Sequence, residues 1–287
     1  MIQLGLIGYP LGHSLSPDIH NAALKACDLQ GEYTLFSIPP DDSDALKALL
    51  KRVRDGEISG LNVTIPHKQN VIPLLDELTP TSRAIGAVNT IFMQEGKLMG
   101  DNTDVPGFLA DLEKFFGNRE SGIGNRKSST KNRKSALVLG AGGSARAVVY
   151  ALAQDGWDIA ITARRSEQAQ ELIAKLPNSD SRITSIEFNA LYSLLSTFSL
   201  IVNTTPVGMS PNMDASPWPA NLSFPPDAAI YDLVYNPRET KLVMDARTAG
   251  LSATTSLGML VEQAALSFEI WTGCNLPREP LFAAVEV

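Results

Sequence analysis

The sequence predicts an α/β protein of two domains, each built on a mostly parallel sheet. Strand and helix patterns alternate along nearly the whole chain, which is how crossover helices connect parallel strands. A polar, basic stretch, Gly117 to Ser135, carries almost no large apolar residue and divides the alternation into two series. A glycine-rich turn lies between a strand and a helix at the start of the second series. The length of 287 residues suits two medium domains and a core that needs no staples. Apolar residues make up 44% and charged residues 19%, the balance of a globular chain. A net charge of -7 argues against nucleic acid as a partner, because phosphates would be repelled. No run approaches the roughly 18 apolar residues of a membrane span, and "MIQLGLIGYP" has no basic region of the kind that opens a signal peptide.

The first series reads as follows. "IQLGLIG" is a strand ended by "YPLG". Ser16-Pro17 supplies an N-cap and a proline for the first helical turn, followed by Ile19, Ala22, Ala23, Ala26 and Leu29 at helical spacing. "YTLFSI" is a second strand. Asp41 to Arg54 is an amphipathic helix with Leu46, Leu49, Leu50 and Val53 on one side. "GLNVTI" is a third strand, and Pro66 is expected to open a helix to about Leu75. "AVNTIFMQEGKLMGDNTD" reads as two strands about a Glu95-Gly96 turn, and a helix from Pro106 to Phe116 closes the series. The domain reading is therefore 1–116, a polar linker over 117–135, a second domain over 136–257, and a closing helix over 258–287. Within 258–287 the helix is expected from about Gly258 to Trp271, with a short tail after it. Cys27 and Cys274 are far apart in sequence and flank no ligand spacing, so they read as reduced, buried thiols of a cytoplasmic protein. The three histidines have no neighbours spaced as metal ligands, and no metal is expected. Nothing separates a monomer from a homodimer.

The second series opens on "ALVLGAGGSARA". Gly140, Gly142 and Ala145 form G-x-G-x-x-A, with Ala141, Gly143 and Ser144 between them. Gly140 permits a tight turn, Gly142 lets a pyrophosphate approach the backbone, and Ala145 is small enough for close packing of helix on strand. The pyrophosphate would meet the helix N-terminus, where free amides and the dipole favour an anion. The strand before, the helix after and "WDIAITARR" as the next strand all agree with a Rossmann-type dinucleotide site. The end of that next strand carries Arg164 and Arg165 where an acid would mark NAD. Guanidinium groups bind a 2′-phosphate that a carboxylate would repel, so NADP is the expected cofactor.

The polar residues of the first series gather at strand ends, where open α/β sheets bind ligands. With "SLSP", "NVTIPHK", "GAVNT", "GDNTD", "GAGGSAR", "NTTPVGM", "YDLVYNPRET" and "LGMLVEQA" in this order, the chain resembles the shikimate/quinate dehydrogenase family over nearly its whole length. The resemblance implies reversible NADP-linked reduction of 3-dehydroshikimate to shikimate, a step towards aromatic amino acids. It implies Lys68 and Asp104 as the catalytic pair. It implies that Ser14, Ser16, Asn62, Thr64, Asn89, Tyr235 and Gln263 hold the small substrate's carboxylate and hydroxyls, and that the closing helix, which carries Gln263, returns to the first domain. Thr204, Met209 and Gly258 lie in its cofactor motifs. The chemistry suits the residues: hydride addition to a ketone builds charge on oxygen, and an ammonium group stabilises that charge and supplies the proton. Two alternatives remain open, a broader enzyme that also uses quinate and a non-catalytic NADP or metabolite sensor. The family's Asn-Arg-Thr after the second strand is Ala163-Arg164-Arg165 here.

Overall fold

Short β-branched and leucine-rich runs bounded by glycine and proline become strands, and longer runs at 3.6-residue spacing become the helices that cover them. The computed structural model describes residues 1–121, 134–176, 182–194 and 197–285. The chain divides into two units, Met1–Gly107 with Leu260–Val287, and Phe108–Met259.

In the first unit the elements run β1 (Ile2–Gly8), α1 (Ser16–Ala26), β2 (Gly31–Ser37), α2 (Ser43–Arg54), β3 (Gly60–Val63), β4 (Glu77–Leu78), α3 (Pro80–Ile85), β5 (Thr90–Gln94) and β6 (Lys97–Asp101). The sheet order is β2-β1-β3-β5-β6-β4. β1 is parallel to β2 and β3, while β5 runs antiparallel to β3 and β6. The β5–β6 hairpin turns on Glu95 and Gly96, both with positive φ (51° and 78°), as a two-residue turn between twisted strands requires. Leu46, Leu49, Leu50 and Val53 of α2 pack with Leu61, Ile91 and Leu98 of the sheet, as the helical spacing predicts.

Three expectations for this unit are corrected. Ser16 is not the cap of α1 but its first residue, and the Ser14 hydroxyl accepts from the Ser16 amide at 3.3 Å. No α-helix covers 66–75; the segment is a series of turns ending in a 3₁₀ turn at Ile72–Leu74. Two prolines in eight residues, Pro66 and Pro73, withhold the amides a longer helix needs. Cys27 and Cys274 are half-buried and joined in a disulfide, their Cα atoms 6.6 Å apart, rather than being free buried thiols. The C-cap of α1 and the turn near Gly273 meet in space although 247 positions separate the two cysteines.

In the second unit follow α4 (Asp104–Ser121, from Phe108 on), β7 (Ser135–Leu139), α5 (Gly143–Gln154), β8 (Asp158–Thr162), α6 (Ser166–Lys175), β9 (Ile183–Ser185), α7 (Leu191–Leu194), β10 (Leu200–Asn203), β11 (Ala229–Asp232), α8 (Lys241–Thr248) and β12 (Ser252–Thr255). Among the described residues the strands of this sheet pair in parallel, in the order β12-β11-β10-β7-β8-β9, the doubly wound arrangement that places a ligand crevice beyond β7 and β10. Leu137, Ile201, Ile230, Leu242 and Val243 lie in its core. The α4 helix runs to Ser121, so the first residues of the expected linker are helical, and 122–133 lie outside the described residues.

The last helices are α9 (Leu257–Thr272) and α10 (Glu279–Val285), the latter standing where a bare tail is expected. From Leu260 on they belong to the first unit. Gly60 and Gly107 make room for α9. A Cβ on Gly60 would lie 2.3 Å from Trp271, and one on Gly107 2.9 Å from Gln263. Trp271 Nε1 then donates to the Ile91 carbonyl at 3.1 Å. Among the described residues no helix is long and apolar enough to cross a membrane.

Candidate active site

The polar centre of the first unit forms where β3, the turns after it, and the starts of β5 and α4 converge. The turn carrying Lys68 is held by its own backbone, His67 N to Thr64 O at 2.9 Å and Val71 N to His67 O at 3.1 Å. The Lys68 carbonyl accepts from the Val88 amide at 2.8 Å, and the buried His67 ring meets the Ile38 carbonyl at 2.7 Å. On the other side Asn102 caps α4, its Oδ1 accepting from the amides of Asp104 and Val105 at 3.1 and 3.4 Å. Asp104 is thereby the first helical residue, and its carboxylate is not needed as the cap. Lys68 Nζ donates to Asp104 Oδ2 at 2.6 Å, with side chains only 13% and 8% exposed. Such pairing is what allows two charges to be buried.

Asn89 presents its amide to the other carboxylate oxygen, Nδ2 to Asp104 Oδ1 at 2.9 Å. Its Oδ1 accepts from the Thr103 amide at 2.8 Å and the Thr90 hydroxyl at 2.9 Å, so the side chain cannot turn over without facing donor to donor. Thr103, Ser267 and Thr90 complete a ring of buried hydroxyls with Asn89, with steps of 3.0 Å (Asn89 to Thr103), 3.0 Å (Thr103 to Ser267) and 2.7 Å (Ser267 to Thr90). In one assignment each hydroxyl donates once and accepts from its neighbour, which satisfies every member of the ring.

Asn62 is committed in the same way. Its two amide hydrogens go to the Asn89 carbonyl (3.1 Å) and Ser267 Oγ (3.0 Å), and its Oδ1 accepts from the Tyr33 hydroxyl at 2.8 Å. What Asn62 can still offer a ligand is a lone pair on Oδ1. Ser16 also borders the Tyr33 hydroxyl. Thr64 lies just past β3, half-buried, and Ser14 is half-buried before α1. Gln263 donates from Nε2 to Leu260 O at 2.8 Å, and its Oε1 accepts weakly from Asn89 at 3.4 Å. Lys68, Asp104, Asn62, Asn89 and Gln263 thus form one connected network, with Ser16 bordering it through Tyr33. Tyr235 belongs to the second unit, half-buried after β11, where burial pushes its hydroxyl pKa up and keeps it a neutral donor.

The residues of the second unit expected to meet the nucleotide are arranged differently. Gly140 has φ 108°, and a Cβ there would meet Thr204 Oγ1 at 2.6 Å. The Thr204 hydroxyl is spent on the Leu139 carbonyl at 2.7 Å and so supports the turn from below. Gly142 is the N-cap of α5 and gives no side-chain cap to its first amides. A Cβ on Gly142 or Gly143 would meet nothing within 4 Å, an open cradle in front of free amides that fits a pyrophosphate. Ser144 follows on the first turn, half-buried, and Ala145 is fully buried beneath it. Arg164 and Arg165 stand exposed at the end of β8, as binding a 2′-phosphate requires. Met209 is 47% exposed in the loop after β10. Gly258 opens α9 against Asp111, whose Oδ1 would lie 1.9 Å from any Cβ.

Reading the sequence missed Tyr33, Thr90, Thr103 and Ser267. The threonines follow or precede quoted motif residues, which was a signal. Tyr33 and Ser267 look like ordinary strand and helix positions, and only the fold brings them to Asn62.

A doubly wound nucleotide sheet in one unit and a buried lysine–carboxylate pair in the other define a two-domain, dinucleotide-dependent oxidoreductase. The chain belongs to the shikimate dehydrogenase family, NADP-linked oxidoreductases of the shikimate pathway. Family models match residues 6–91 (shikimate dehydrogenase substrate binding domain), 123–209 (shikimate / quinate 5-dehydrogenase) and 257–286 (shikimate 5′-dehydrogenase C-terminal domain). An NADP(+) shikimate dehydrogenase of Salinibacter ruber is 42% identical over 98% of this chain and 95% of its own. The crystal structure of the Thermus thermophilus enzyme in complex with NADP(H) and shikimate is 35% identical, with a TM-score of 0.83, covering 99% of this chain and 98% of that one. A quinate dehydrogenase of Corynebacterium glutamicum in complex with NAD is 29% identical with a TM-score of 0.85, covering 99% and 98%.

Proposed function

We propose that the chain catalyses the reversible reduction of 3-dehydroshikimate to shikimate with NADP, and that Lys68 and Asp104 carry the proton chemistry. The observation behind this is the 2.6 Å Lys68–Asp104 pair, buried within a network that leaves lysine hydrogens uncommitted. Bound NADPH supplies the hydride. Lys68 Nζ uses one hydrogen on Asp104 and has two left, enough to donate to a substrate carbonyl oxygen and give it a proton as charge builds there. Asp104 fixes the direction of the ammonium and takes part in returning the proton to solvent. Ser14 and Ser16 suit the substrate carboxylate; Asn62, Thr64, Tyr235 and Gln263 suit its hydroxyls, and Asn89 reaches one only by turning an amide hydrogen from Thr103 or Asp104 towards it. A site of this kind rejects analogues lacking a hydroxyl, because its own groups would be left unpaired. Gly140 to Ala145 hold the pyrophosphate, and Arg164 with Arg165 the 2′-phosphate.

Purified protein should form NADPH from shikimate, and a lack of any turnover would overturn the reading in favour of a sensor. Quinate with NAD is the second reading, favoured by the likeness to the Corynebacterium glutamicum enzyme and opposed by the arginine pair. Values of kcat/KM for both substrates with both cofactors decide between them. The proposed compartment is the cytoplasm, where the Cys27–Cys274 bond would face a reducing pool. Alkylating thiols in intact cells tests this: two blocked cysteines fit that compartment, and two protected ones count against it.

A further inference from the structure

We propose that Tyr33 is a positioning residue for the substrate side of the site, acting through Ser16 and Asn62. The inference rests on the reading that those two residues bind substrate. Tyr33 lies on β2, the edge strand of the first sheet, and its hydroxyl is buried. That hydroxyl donates to Asn62 Oδ1 at 2.8 Å and borders Ser16 at the start of α1. It therefore joins the two arms that the sequence separates by 46 positions, the helix start and the end of β3.

Asn62 is what makes the hydroxyl matter. Its amide hydrogens are both held, by the Asn89 carbonyl and by Ser267. Turning the side chain over would set its oxygen against the Asn89 carbonyl oxygen. Tyr33 supplies the donor that fills one lone pair of Oδ1 and leaves the other in a fixed direction. A phenylalanine at 33 would fill nearly the same volume but leave Oδ1 a buried acceptor without that partner, free to shift towards other donors. The ring itself is clamped. His20 of α1 stacks flat on it, centroids 4.2 Å apart and planes 3° from parallel, and Trp271 and Phe268 of α9 close on His20 at 5.3 and 6.3 Å. Burial pushes the Tyr33 hydroxyl well above its usual range, against a smaller pull from Ser16, so it stays a donor. A tyrosine needed for packing alone would have the clamp but no use for the donor.

The test compares full-length variants well below their melting temperatures. Tyr33→Phe should raise KM for shikimate about 10-fold, the loss expected for one buried hydrogen bond. Its kcat and its KM for NADP should stay within about twofold of the parent. In an Asn62→Ala background the same change should cost less than about twofold, because the acceptor of the tyrosine's one hydrogen is gone and only the contact with Ser16 remains. His20→Ala, which releases the ring, should raise KM for shikimate in the Tyr33 protein and not in Tyr33→Phe. A purely structural tyrosine would lower the melting temperature and leave KM alone, and that result overturns the proposal. So do losses that multiply across the Tyr33–Asn62 pair. If Ser16→Ala and Asn62→Ala themselves leave KM for shikimate unchanged, the substrate reading has failed and takes this inference with it. If they raise it while Tyr33→Phe does not, only the inference has failed.

Discussion

The two units prepare for their ligands in opposite ways. In the first, the side chains proposed to act are tied to one another: Lys68 to Asp104, Asp104 to Asn89, Asn89 to a ring of hydroxyls, and Asn62 to Tyr33. In the second, the Gly142 cap leaves amides free, the cradle in front of them is open, and Arg164 and Arg165 stand in solvent. Proton transfer demands groups aimed in advance, because reorganising them during reaction raises the barrier. An anion needs donors and positive charge that nothing else has claimed. One half is rigid by saturation and the other receptive by vacancy of its donors.

The sharpest way to break that contrast is to make one change in each half and ask which kinetic constant moves. Lys68→Ala should lower kcat by about 100-fold or more, the usual size of a general-acid contribution, with KM for NADP unchanged. A normal kcat would remove the lysine from its role. Replacing Arg164 and Arg165 together by alanine should raise KM for NADP by roughly 10- to 100-fold, the scale of charge-assisted hydrogen bonds, and leave NAD binding and kcat alone. Equal losses with both cofactors would mean the arginines do not read the 2′-phosphate.

Stability sharpens the contrast from another side, because the disulfide and buried His20 both belong to the first unit. Cys27→Ser should reduce the unfolding free energy by as much as about 5 kcal/mol, since the link closes a very long loop in the unfolded chain. Identical urea midpoints with and without reductant would show that the bond contributes nothing. The smallest effect is on pH. Desolvation holds the His20 pKa at about 3, only partly opposed by Asn62, against 6.5 in an unfolded chain. The unfolded chain therefore binds a proton that the folded chain refuses, so this part of the stability is full above about pH 6.5 and is lost as pH falls towards 3. His20→Phe should flatten that decline, as read from midpoints at pH 7 and pH 5; parallel declines would contradict it.

Much of this was readable without coordinates. The helical stripe Leu46, Leu49, Leu50, Val53 and the Glu95-Gly96 turn follow from local spacing and turn chemistry, and both are where they should be. G-x-G-x-x-A likewise spans the tight turn from β7 into α5. Failures came where distant residues decide. The stretch 66–75 has helix-like spacing, yet its prolines and the docking of Lys68 O on Val88 hold it in turns. Cys27 and Cys274 give no local hint of each other.

By itself the sequence determined the alternating elements, the glycine turn and the chemical types at the strand ends, because these depend on neighbours a few residues apart. Only the tertiary structure decided which polar groups are spoken for and which are free to act. Hydrogen-bond capacity is finite, and whether Asn62, Asn89 or Thr204 has any to spare depends on partners that chain folding, rather than sequence order, brings within 3 Å.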